Sequence, residues 1–182
     1  MTSGSGWLLG VLDDLEQQAE GLALVERDLE VADRARAEYA EVPLLARVHA
    51  VVDRPVRLTL LGGLRLEGTV TRTGADWLLL ADPAGQEWVV PVPAVAVLRG
   101  APARAVPASA VGVLRRLSLR AVLRRLADQS AVCVLHLVDG ATLEGRLLRL
   151  GEDFAELRLA GDVGPEGYDV VPLVVVAAAR FR

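Results

Sequence analysis

Two hydrophobic rhythms divide the chain. From Trp7 to about Glu41, Leu8, Leu15, Leu22 and Leu29 recur seven apart, with Leu12 and Ala19 between them, among many Ala, Glu and Arg residues. That period predicts a long helix with a narrow apolar seam: an amphipathic helix lying on its own domain, or a coiled-coil, partner-binding arm. Gly21 weakens it locally, by about 1 kcal/mol relative to Ala. Pro43 fits the first turn of a second, shorter helix, Leu44 to Val52, and Pro55 ends that segment. Beyond it the period becomes two. Val56–Leu61 alternates apolar and polar, Gly62-Gly63 is a hairpin turn, and Leu64–Arg72 alternates again with Leu64, Leu66 and Val70 on one face.

The same pattern returns 77 positions later. Leu58, Leu60, Gly63, Leu66, Glu67, Gly68, Arg72, Gly74, Asp76 and Leu80 recur as Leu135, Leu137, Gly140, Leu143, Glu144, Gly145, Arg149, Gly151, Asp153 and Leu157, ten identities in 23 aligned positions. After a loop four residues longer in the second copy, Val89-Val90-Pro91-Val92 is answered by Val170-Val171-Pro172-Leu173. Each copy reads as a β-meander. Gly68 and Gly145 fall at inward positions of the long second strand, where a missing side chain permits the bend that closes a small sheet on itself. Between the copies, an Ala/Pro stretch precedes a helix whose N-cap is Ser118 and whose apolar face is Leu119, Val122, Leu123 and Leu126. Each copy is thus preceded by a helix, which supplies core that a short meander lacks.

The expected fold class is mainly β with helices (α+β): two five-stranded small barrels, each with a leading helix, plus the long acidic N-terminal helix. The expected boundaries are residues 1–42 for the acidic arm and 43–100 for the first barrel. Residues 101–117 make a linker and the start of a basic connector, and 118–182 the second barrel.

Composition narrows the class. Apolar residues make up 52% of the 182 and charged residues 24%, which excludes disorder and collagen-like repeats. Aromatics are only 4%, so the core is aliphatic. Lys, Ile and Asn are absent; their codons are all A/T-rich, which reads as the bias of a high-GC bacterium. The net charge of −4 gives the whole molecule no general attraction for phosphate backbones. The charge is uneven, however. Residues 1–50 carry ten acids and four Arg, whereas 101–130 carry six Arg and one acid. One cysteine, the lack of a signal-peptide pattern, and apolar runs well short of the roughly 18 residues of a membrane helix predict a cytoplasmic protein without membrane contact.

In the second copy the run Val134-Leu-His-Leu-Val-Asp-Gly-Ala-Thr-Leu-Glu-Gly-Arg-Leu-Leu-Arg-Leu-Gly-Glu-Asp-Phe154 combines a hairpin Asp-Gly, a strand-two Gly and a later Asp-aromatic. With its leading helix it resembles the Sm-like (LSm) family of SH3-like small barrels, over about residues 44–98 and 119–180. The whole arrangement also looks like that of certain actinobacterial proteins. The resemblance implies a base-stacking pocket near Asp76-Trp77 and Asp153-Phe154. The Asn that ends the family's loop is missing from both copies, and Arg99-Gly100 follows the last strand instead of the fourth.

The candidate surfaces follow from alternation. If Leu78 and Leu80 face inward, Trp77 and Leu79 point out of the first copy and Phe154 out of the second, so the Trp77–Leu79 pair needs a cover: the arm, the second copy or another subunit. Arg115, Arg116, Arg120, Arg124 and Arg125 make a cationic stripe on the connector helix, open to phosphate contact, solvent or docking against the acidic arm. Arg72 with Asp76, and Arg149 with Asp153, are expected to bracket their turns as ion pairs. Cys133 and His136 lie three apart on a strand, on opposite faces, with no second pair to complete a metal site. No catalytic constellation, metal or cofactor is expected. The sequence therefore points to a non-catalytic interaction or assembly module, with an RNA- or DNA-binding regulator as the alternative. Pro91, Pro93 and Pro172 beside the sheet edges favour a monomer or dimer over a ring.

Overall fold

The structure, a computed structural model, describes residues 17, 18, 20, 21, 27, 29–106, 116–159 and 167–181. The chain divides between Val42 and Pro43 into two units. In the first, continuous helix (α1) covers residues 29–40, held on its surface by Arg34–Glu38 at 3.3 Å and Arg36–Asp33 at 2.6 Å. The long acidic helix expected from Trp7 is not described as one continuous element: residues 17, 18, 20, 21 and 27 are helical, and unbroken helix is described over 29–40 alone. Pro43 ends it, because a proline drives the residue before it out of the helical region; Leu8, Leu12, Leu15 and Leu22 lie outside the described residues.

The second unit is one antiparallel sheet of ten strands. They are β1 (Pro55–Leu60), β2 (Arg65–Thr73), β3 (Trp77–Ala81), β4 (Glu87–Pro91), β5 (Val95–Arg99), β6 (Val132–Leu137), β7 (Thr142–Leu150), β8 (Phe154–Leu159), β9 (Asp169–Pro172) and β10 (Val176–Phe181). Their spatial order is β5-β1-β2-β3-β4-β10-β6-β7-β8-β9. Helix α2 (Leu44–His49) precedes the first five strands and α3 (Leu119–Asp128) the second five, and no described helix is long and apolar enough to cross a membrane. Helix α2 stops at His49, short of the expected Val52.

Two separate five-stranded barrels are therefore not what the chain builds. The reason lies in β4 and β10. Trp88, Val89 and Val90 are consecutive and all buried, as are Val176, Ala177, Ala178 and Ala179. A strand apolar on both faces cannot sit at a wet edge and has to be covered on both. The two strands satisfy each other, Val89 opposite Ala179 and Trp88 opposite Arg180, which fuses the halves into one open sheet.

Within that sheet the sequence repeat is also a repeat of register. Leu58 opposite Leu66 is answered by Leu135 opposite Leu143, and Arg57 opposite Arg99 by Val134 opposite Arg180. Even the slips in pairing recur, between Val70 and Arg72 and between Leu147 and Arg149. Gly68 and Gly145 allow the closest strand approach: a Cβ would stand 2.2 Å from the Ala81 carbonyl oxygen at one and 2.3 Å from that of Arg158 at the other.

The core has two parts, and the central strands serve both. Leu58, Leu60, Val70, Leu78 and Leu80 pack with Trp88, Val90, Ala177 and Ala178, whereas Cys133, Leu135, Leu147 and Leu157 pack with Trp77, Val89, Val176 and Ala179. Successive side chains of a strand point to opposite faces, so β3 and β4 of the first half place alternate residues in each part.

Candidate functional site

Trp77 is 7% exposed. It belongs to the second part of the core although it starts β3 of the first half, and its indole Nε1 donates to the Leu117 carbonyl at 2.9 Å. Leu79 is half-buried against the same cluster. The cover that this pair needs comes from the second half of the same chain. Phe154, the counterpart of Trp77, is half-buried and lies in neither part of the core, its ring folded back over Gly151.

The aspartates differ in the same way. Asp76 Oδ1 accepts from the Leu119 amide at 2.7 Å, capping α3 beside Ser118, whose hydroxyl accepts from Ala121 at 3.3 Å. Among the described residues, nothing engages the Asp153 carboxylate. The expected ion pairs across the turns are corrected: Asp76 caps a helix instead of meeting Arg72, and Arg149 pairs with Glu156, which register places directly opposite it. That pairing raises the Arg149 pKa, first through the hydrogen bond to Glu156 and then through its charge.

Of the cationic stripe, Arg115 lies outside the described residues, and Arg116, Arg124 and Arg125 are exposed. Arg120 is half-buried, its Nε buried without a hydrogen bond among the described residues, in a cavity of about 390 Å³ that it lines with Asp76, Glu152 and Asp153. The stripe is therefore not one continuous surface.

No group of three or more His, Cys, Asp or Glu among the described residues could hold a metal ion. Burial pushes the Cys133 thiol up to about 11, which keeps it protonated and unreactive. His136 does not face open water: its ring lies 5.4 Å from that of Trp88, and burial, then Arg180, hold its pKa below the ordinary value. Val134, two residues before it on the strand, is buried as well.

What the fold leaves unsatisfied are its two ends. Strands β5 and β9 are the outermost of the sheet, each with no strand among the described residues on its outer side. Val97 on β5 is 43% exposed, and Val170 on β9 and Val174 just beyond it are 56% and 84% exposed. Pro91 ends β4, which still pairs with β10 through Trp88 and Val89; Pro172 ends β9 in the same place. Sequence reasoning missed Asp169 and Val170 as surface residues. The signal was present in the repeat, where an apolar Trp88 is answered by a charged Asp169.

No protein-family model matches the chain, and no curated protein is significantly similar to it.

Proposed function

We propose that the protein is a non-catalytic assembly module that joins protein chains by strand addition at the free edges of its sheet. The observation that supports this is the exposure of Val97, Val170 and Val174 on or beside the two outermost strands, β5 and β9. Unpaired edge strands are templates for another strand, and proteins that do not use them blunt them with charge or shorten them. Here β9 presents a valine to solvent, followed by another just beyond its end.

The test is recovery of the full chain from its native cell, with half of the material treated with nuclease, beside a Val170→Lys variant whose folding is verified by its melting transition. Protein partners recovered from both halves and lost with Val170→Lys support the module. Partners that survive the substitution overturn it. Material recovered only without nuclease replaces it with nucleic-acid binding through the exposed arginines Arg116, Arg124 and Arg125.

A further inference from the structure

The outer face of β5, β1 and β2 carries two arginines in direct opposition. Register sets Arg57 of β1 against Arg99 of β5 on one side and against Glu67 of β2 on the other, and it sets Thr59 against Val97 and Arg65. Arg57, Arg65, Glu67 and Arg99 are all exposed. Like charges placed directly opposite each other destabilise an antiparallel pair. Exposure accounts for a polar residue at position 57 but not for a cation facing a cation, since a threonine suits the same wet face and repels nothing.

The second half of the chain supplies the comparison. Its corresponding row is Arg180, Val134 and Glu144, and its next row sets His136 against Thr142. The flanking arginine and glutamate are the same in both halves, whereas Arg57 and Arg65 stand where the second half has Val134 and Thr142. Arg180 is also occupied, lying over the Trp88 indole. Among the described residues Arg65 and Arg99 have no hydrogen bond or ion pair. Arg57 donates from Nε to Glu67 Oε2 at 3.0 Å, which fixes its guanidinium and leaves the two terminal nitrogens for another acceptor. Two hollows flank it: one of about 260 Å³, lined in part by Arg57, Glu67, Arg99 and Gly100, and one of about 490 Å³, lined in part by Arg57, Thr59, Arg65 and Arg99.

We infer that this face binds a short free oligophosphate, a chain of two or three phosphoryl groups, lying between guanidinium groups that otherwise repel. Side chains directly opposed across a pair lie about 5 Å apart and diagonal ones about 7–8 Å, so Arg99, Arg57 and Arg65 meet charge at successive points along such a chain. The guanidinium fork matches phosphoryl oxygens. Neither hollow is lined by an aromatic ring on which a base could stack. A nucleic-acid backbone, longer than the patch, would run on over a molecule of net charge −4, whereas a short anion meets the local arginines alone. The site lies on the face of the sheet rather than along the open side of β5, so it stands or falls independently of strand addition.

The experiment is calorimetric titration of the full chain with inorganic tripolyphosphate, pyrophosphate and orthophosphate at low salt, repeated with Arg57→Val, Arg65→Thr and a control, Arg158→Thr on β8. The first two substitutions give the first half the residues that the second half holds, and melting without ligand verifies each fold. The expected order of affinity is tripolyphosphate, pyrophosphate, orthophosphate, each weakening as salt rises. Arg57→Val should weaken tripolyphosphate by about tenfold or more, while Arg158→Thr, exposed and of equal charge change, shifts it by less than about twofold. Without ligand, Arg57→Val should melt no lower than the wild type, because the opposed pair is gone; with tripolyphosphate the order reverses. Arg65→Thr, outside the opposed pair, carries the test if Arg57→Val does not fold. A wild type that takes up no tripolyphosphate overturns the inference, as does equal weakening by Arg57→Val and Arg158→Thr. A single-stranded oligonucleotide that displaces tripolyphosphate and binds more tightly also overturns it, in favour of a nucleic-acid backbone.

Discussion

Arg180 of β10 lies over the indole of Trp88 on β4, its guanidinium carbon 5.6 Å from the ring centroid, where the two halves of the sheet exchange backbone pairing. The same indole donates from Nε1 to Asp82 Oδ2 at 3.1 Å, which is the first cause of the lowered Asp82 pKa. Trp88 thus closes the turn of its own hairpin and the joint between the halves together. Trp88→Ala removes both and leaves a cavity, so it is expected to destabilise the protein by about 3 kcal/mol or more. The midpoint of urea unfolding measures this, and a shift below about 1 kcal/mol would show that the joint does not depend on the indole.

The two strand glycines should behave alike. At Gly68 and Gly145 an added Cβ meets backbone carbonyl oxygens at 2.2 and 2.3 Å, atoms that cannot move aside as a flexible side chain would. Gly68→Ala and Gly145→Ala are each expected to destabilise by about 1–3 kcal/mol. Gly63→Ala meets nothing within 4 Å but sits at φ +83°, so its loss comes from backbone strain alone. Thermal melting of the three variants distinguishes the causes, since a small side chain at the first two positions should be worse than at the third.

The unequal fates of the repeated aspartates give a second matched pair. Asp76→Ala removes the carboxylate that caps α3 and is expected to lower stability by about 1 kcal/mol. Asp153→Ala, at the equivalent position with no bonded partner among the described residues, should change the stability of a single chain by less than about 0.5 kcal/mol. Equal losses at both, measured by denaturant unfolding at low protein concentration, would contradict the assignment of Asp76 as the cap.

His136 makes the joint sensitive to acid. Its pKa is held below the ordinary 6.5 by burial and by Arg180, so at mildly acidic pH the unfolded chain binds a proton that the folded one resists. Stability contributed by the neutral ring is complete above the unfolded value and declines as pH falls through the folded one. His136→Gln should remove that part of the decline. Unfolding midpoints at about pH 7.5 and pH 5 for both proteins measure it, and parallel losses would assign the acid sensitivity to other groups.

Much of the local architecture was legible because it depends on period and turn chemistry. Leu58, Leu78 and Leu80 occupy one part of the core, and Leu135, Ala155 and Leu157 the other, as alternation requires. Ser118 caps α3, and Gly62, Gly63 and Gly140 adopt positive φ in the hairpins. What did not read through was the relation between the halves. A run such as Trp88-Val89-Val90 announces burial on two faces but not what lies on each, and an isolated barrel satisfies only one of them. The fate of Asp76 was equally hidden, since Arg72 is near in sequence whereas the Leu119 amide comes close only once the halves have joined. The edge residues Asp169 and Val170 acquire meaning only when the order of the strands is known.

Neighbouring residues of β4 answer to different interiors, Val89 to one and Trp88 and Val90 to the other, and this bears on how the molecule can be taken apart. A polypeptide severed between residues 100 and 118 would yield two fragments, each with a hydrophobic centre that the other completes. The fragments should cling together after cutting and recover the native fold only when both are supplied. Any shortened version ending after the first meander would expose the flank of β4 and is expected to precipitate at lower concentration than the chain of 182 residues.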